Sequence, residues 1–187
     1  APQPLRDLAL LLVDTGMRVG EALALEWPDV HFEAAPGARA GYLHIRGGKS
    51  KNARRNLSMT ARVRATLSKR ASAASTLYVF AGAAGRPYVG TYLDRVHKRV
   101  RDTLKLPKDF VLHSFRHTML TRLGETGTDA FTIMKIAGHS SVTVSEKYVH
   151  PTPETMEKAF ERLEALHGGG TNMGTVPESP NATVVVS

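Results

Sequence analysis

The 187-residue chain contains no cysteine. Disulfides, thiolate zinc sites and cysteine nucleophiles are therefore all excluded, and the composition fits a reducing compartment. No run of roughly 18 apolar residues exists, the length a spanning helix requires. The longest early apolar stretch, LALLLV at 8–13, lacks the basic flank and cleavage site of a secretory leader. The expectation is a cytoplasmic protein with no membrane partner. At this length it is one domain, or one domain with a tail, and can bury a sizeable core.

The third absence is acidic charge. Between Ala34 and Leu93 there is no Asp or Glu, whereas the same span holds eleven lysines and arginines within a chain of net charge +8. Solvated surfaces usually mix signs, so the one-sided span points to a polyanion, and nucleic acid is the commonest. A membrane surface is the weaker rival, since no amphipathic basic helix accompanies the charge. Arg46, Lys51, Arg54 and Arg55 are the candidate DNA contacts.

The pattern along the chain predicts a mainly α fold with one small antiparallel β-sheet (α+β). LRDLALLLVDTG has apolar residues at helical spacing and ends at Gly16, a residue suited to a helix terminus. MRVGEALALEW restarts a helix with Arg18 in its first turn, and Pro28 breaks it. GYLHIR and RRNLSM are strand-like and joined through GGKSKN, which predicts a hairpin with its tip at 49–52. Further helices are expected near 60–70, 89–104, 113–126, 129–137, 141–148 and 153–166. Trp27, the only tryptophan, is expected in the core between the first helices and the hairpin. After His167 comes a Gly, Ser, Pro and Asn tract ending in VVVS, read as a flexible tail (168–187) able to add as a strand to a sheet edge.

HSFRH at 113–117 concentrates donor chemistry in one helical turn. His113 and His117 at i and i+4 could bind zinc, but position 114 is Ser where HExxH needs Glu, and no acidic residue lies between Asp109 and Glu125. No metal and no other cofactor is expected. An anion site fits better: a guanidinium fork matches two phosphate oxygens, and Arg18 and Arg116 on separate elements could hold one phosphate between them. Tyr148 is then the available nucleophile.

TGMRVGEAL, the basic hairpin with GGKSK, HSFRHT, and AGHSS followed by KYVH resemble, in order, the catalytic domain of the tyrosine recombinases, the phage integrase family. The likeness runs from about Leu5 to Leu166. It implies catalytic roles for Arg18, Lys49, His113, Arg116, His139 and Tyr148, with Glu21 and His117 supporting. Lys49 would protonate the departing 5′ oxygen, with Lys51 close by. His113 would accept or relay the tyrosine proton, while Arg18, Arg116 and His139 hold the phosphate. A tyrosine side chain with its ordinary pKa near 10 is ionised in only about one molecule per thousand at pH 7, a deficit of roughly 4 kcal/mol. A base and a cationic pocket must cover it.

The resemblance further implies double-stranded DNA as partner, a homotetramer on it, and a C-terminal segment docked on a neighbouring subunit. Relatives usually carry an N-terminal helical DNA-binding domain, and this chain starts directly at the catalytic domain, so the expectation is a fragment or truncated relative that binds DNA weakly alone. Two rivals stay open: a type IB topoisomerase, which relaxes DNA with a similar residue set, and a catalytically silent DNA-binding module.

Overall fold

The computed structural model describes residues 3–47, 53–82 and 84–168. The chain divides into two compact units, Ala1–His150 and Pro151–Ser187. In the first unit α1 (Leu5–Thr15) precedes α2 (Val19–Leu23) and a 3₁₀ turn at Trp27–Asp29. Strands β1 (Val30–His31), β2 (Tyr42–Ile45) and β3 (Arg55–Ser58) follow, then α3 (Ala61–Ala71), α4 (Gly90–Thr103), α5 (Leu112–Glu125), α6 (Ala130–Ala137) and the short α7 (Thr143–Glu146). The second unit contains α8 (Pro153–Gly168). Its Met156, Phe160, Leu163 and Leu166 are exposed, at helical spacing.

The expected hairpin is present, with Tyr42 opposite Ser58 and Ile45 opposite Arg55. Its tip at 48–52, including Lys49 and Lys51, lies outside the described residues. A third strand was not anticipated: β1 is two residues long, too short to show alternation, and pairs antiparallel with β2. The second helix is also shorter than expected. Arg18 is its N-cap rather than a first-turn residue, and the helix ends at Leu23, well before Pro28.

The core forms where apolar stripes meet. Leu5, Leu8 and Leu12 of α1 repeat on one face and, with Leu11, are buried against Leu43, Ile45 and Leu57 of the sheet and Val63 and Leu67 of α3. Trp27 packs partly buried at the edge of this cluster, its backbone N–H donating to the Leu77 carbonyl at 3.0 Å. Gly16 ends α1 with φ 64°, and a Cβ there would lie 2.9 Å from Met119 Sδ, so both backbone and space favour glycine.

Among the described residues, four arginines of the acid-free span pair with acidic residues that precede it. Arg70 binds Asp7 at 2.9 Å, Arg62 binds Asp14, Arg55 binds Glu21 at 2.9 Å, and Arg46 binds Glu26 at 2.5 Å and Asp29 at 2.8 Å. These pairs nest in order as the basic span folds back along α1, α2 and the 3₁₀ turn. Arg64 donates instead to the carbonyls of Phe32 and Ala40. Part of the positive charge read as a surface for a polyanion thus has an intramolecular carboxylate partner.

Candidate active site

The site assembles around the C-terminal end of α6, where helical carbonyls lack intrahelical donors and carry the negative end of the helix dipole. Three arginines from three elements meet three successive carbonyls there. Arg55 Nε of β3 donates to Ile136 O at 2.7 Å, Arg116 Nη2 of α5 to Ala137 O at 2.7 Å, and Arg18 Nη2 at the start of α2 to Gly138 O at 2.8 Å. Gly138 closes α6 in the left-handed conformation, φ 66°, and delivers His139 to the same place.

Glu21 holds two of the arginines. One carboxylate oxygen accepts from Arg18 Nη1 at 2.9 Å and Arg55 Nη1 at 3.0 Å, the other from the Arg18 backbone N–H and Arg55 Nη2, both at 2.9 Å. Burial alone would raise the Glu21 carboxyl, but the bonds from Arg55 and Arg18 outweigh it and hold the group below the usual carboxylate range. Glu21 thereby fixes Arg18 and Arg55 relative to one another. Arg55 does not fit its expected role. Its side chain is 7% exposed and committed to Glu21, Ile136 and Ala53, so it braces the site and has little surface to offer DNA. Arg46 is half-exposed but paired with two carboxylates. Arg54 is exposed, with Nε donating to Arg46 O at 3.3 Å, and remains a candidate DNA contact.

On α5 the residues Leu112, Arg116, Leu120 and Gly124 form the buried stripe, and His113 and His117 form the exposed stripe beside it. Arg116 is buried and also donates to the Gly16 carbonyl. Burial, with Arg18 and Arg55 nearby, lowers it to about 10. A guanidinium has five N–H donors, and the bonds described use two from Arg18 and two from Arg116. Arg18, 40% exposed, can present its remaining donors to an anion at the surface, whereas Arg116 is buried with donors left over.

His139 is buried, its Nδ1 2.8 Å from Ser145 Oγ. Burial, then Arg116 and Arg18, push it down to about 4, so it is neutral at pH 7. Ser145 was not singled out from the sequence. It is one of three serines between His139 and Tyr148, and nothing in the pattern distinguishes it from Ser140 or Ser141.

Tyr148 is buried, with its ring stacked on His139 at 6.4 Å between centroids. Gly124 makes this docking sterically possible, because a Cβ there would lie 1.6 Å from the Tyr148 carbonyl oxygen. The Tyr148 hydroxyl lies 2.7 Å from His117 Nδ1. This is a shift from expectation: the contact goes to the histidine read as supporting. The His113 ring meets that of His117 edge to face at 4.8 Å. Burial and nearby Lys147 and Arg116 lower His117, and burial with His117 and Arg116 lowers His113. Among the described residues no cluster of three or more His, Asp or Glu suits a metal ion.

The fold and this constellation define a class. Residues 1–155 match the phage integrase family, and the chain belongs to that family. It is 32% identical to tyrosine recombinase XerD of Corynebacterium glutamicum, covering 85% of this chain and 53% of that protein. It is 29% identical to tyrosine recombinase XerC of Pediococcus pentosaceus, covering 86% and 54%. The chain thus spans about half the length of the curated relatives it matches. The fold is shared with the Tn1549 transposon integrase in complex with circular intermediate DNA, at TM-score 0.69 and 23% identity over 86% of this chain and 60% of that one. It is shared too with XerH recombinase bound to difH in a pre-cleavage complex, at TM-score 0.64 and 24% identity over 86% and 46%.

Proposed function

We propose that residues 1–167 form the catalytic domain of a site-specific DNA recombinase that cuts and rejoins double-stranded DNA through a 3′-phosphotyrosyl intermediate. The observation that best supports this is the stacking of Tyr148 on His139 at the α6 terminus, where Arg18 and Arg116 converge. Arg18 and Arg116 would grip the scissile phosphate, each charge-assisted hydrogen bond contributing about 1.5–3 kcal/mol and more as charge develops. Neutral His139 would donate to a phosphate oxygen through a ring N–H. The Tyr148 oxygen attacks phosphorus, the P–O5′ bond breaks, and the 5′ oxygen takes a proton from Lys49. His113 stands beside the tyrosine pocket as a proton relay. The phosphodiester energy is kept in the covalent bond, so neither ATP nor a divalent metal is needed.

Two successive strand exchanges through a Holliday junction would complete recombination. Four copies on DNA are the proposed assembly, with the apolar stripe of α8 or the segment after it docking on a neighbour. A DNA-associated, cytoplasmic protein is the matching location. Relatives named tyrosine recombinase favour this reading over type IB topoisomerase-like relaxation or a silent DNA-binding module.

The test is a library of nicked duplexes with randomised core sequence, which traps the covalent step by letting the short product strand escape. The wild-type chain is expected to give adducts that survive sodium dodecyl sulfate, and Tyr148→Phe none. Adducts from the variant, or DNA binding with no adduct from either protein, would overturn the proposal.

A further inference from the structure

We propose that His117 is the proton acceptor for Tyr148, a step that rests on the recombinase reading above. His117 places a ring nitrogen at hydrogen-bond distance from the hydroxyl, which lies 2.7 Å from Nδ1, with the two rings 5.9 Å apart and tilted by 40°. A general base must reach the proton it removes, and this one does so before DNA arrives. The helix enforces the arrangement: Arg116 faces the buried side of α5 and His117, one residue on, faces Tyr148.

The charge around His117 fits the task. The groups that face it are Arg116 and His113 of its own helix and Lys147 and Tyr148 of the segment after α7. Burial and the two cations keep the imidazole below its ordinary value, hence neutral and able to accept at pH 7. A phosphate entering beside Arg116 adds negative charge and makes the imidazolium easier to form. Tyr148 donates its O–H to Nδ1, with the ring proton on Nε2. As the tyrosine oxygen bonds to phosphorus, its proton passes to Nδ1 and the P–O5′ electron pair leaves with the 5′ oxygen. On rejoining, an incoming 5′ hydroxyl gives its proton back to the acid that had protonated the departing 5′ oxygen and displaces the tyrosine oxygen, which takes its own proton back from His117. His113, edge to face with His117, then acts on that ring rather than on the hydroxyl.

The test uses the full 187-residue chain and the nicked DNA library, following adduct formation in a single turnover against pH. His117→Gln keeps an acceptor near the hydroxyl but cannot take a proton. It is expected to slow adduct formation by about 10²–10⁴-fold and to lose the acidic limb of the wild-type profile. Replacing Tyr148 by a fluorotyrosine, whose phenol ionises more readily, should restore most of the lost rate in the His117→Gln background and change wild type little. Because rescue is read within one variant, a folding defect does not imitate it. A His117→Gln rate within about threefold of wild type, or equal fluorotyrosine effects in both backgrounds, would overturn this assignment alone. No adduct from wild type would overturn it together with the recombinase reading.

Discussion

Replacing Glu21 by Gln is the sharpest perturbation of the arginine cluster. The carboxylate accepts four hydrogen bonds, two from Arg18 and two from Arg55, at 2.9–3.0 Å. The two halves differ in value. Arg18 is 40% exposed, and a pair with that much water contributes about 0–1 kcal/mol. Arg55 is 7% exposed against a carboxylate 11% exposed, and breaking a buried pair by removing one partner costs about 3–5 kcal/mol. Arg55 keeps its bonds to Ile136 O and Ala53 O, so the lower end applies, about 3 kcal/mol. With a urea m-value near 2 kcal/mol/M, the midpoint should fall by about 1–2 M with unchanged slope. Glu21 is held below its ordinary 4.5, so its contribution is present above that pH and lost as pH falls through the native value. The variant should therefore show a flatter acid limb below about pH 4.5. Replacing both partners, as in E21L/R55M, should recover most of the stability, since the buried charge goes with its partner. A loss under about 1 kcal/mol for Glu21→Gln, or a double variant no better than the single, would refute a buried pair at this position.

Gly124→Ala should undock Tyr148, because its Cβ would meet the Tyr148 carbonyl oxygen at 1.6 Å; adduct formation should fall at least tenfold while DNA affinity changes little, and a wild-type rate would show that the segment can shift freely. His139, held down to about 4 while the unfolded chain titrates near 6.5, binds its proton first in the unfolded state. Stability should therefore fall as pH drops from about 6.5 toward 4 and level off below, and urea melts should show His139→Gln with a shallower slope in that window. Plots of log affinity against log salt should lose about one unit of slope for Arg54→Ala, and clearly less for Arg46→Ala, whose charge already meets Glu26 and Asp29.

The sequence made legible those residues whose chemistry demands a particular type at a particular place. Arg18, His113, Arg116, His139 and Tyr148 lie in short motifs whose order matches a family, and four of them meet at one helix terminus or its flank. The hairpin was legible because alternation and a Gly-rich turn are local signals. Arg55 was misread because a count of like charges along a window is blind to carboxylates elsewhere in the chain. Its clue was present: Asp7, Asp14 and Glu21 recur every seven residues along the first helices, and Arg55, Arg62 and Arg70 recur at nearly the same interval later. Two such ladders of opposite sign can pair in either direction, and the nested ion pairs show that these segments run antiparallel.

The contact of His117 with Tyr148 and that of Ser145 with His139 were hidden for a different reason. Helical periodicity places His113 and His117 on one stripe, but which of them meets Tyr148 depends on how the segment after Gly138 returns across α5. That return is governed by a left-handed glycine at 138, a serine holding His139, and the missing side chain at Gly124. Each is a tertiary contact between residues whose types are common and whose spacing is irregular. The segment crosses α5 at Gly124, nearly two turns beyond His117, and the tyrosine ring reaches back along the helix to put its hydroxyl on His117. The choice of proton acceptor is thus a consequence of where one glycine permits the chain to cross a helix.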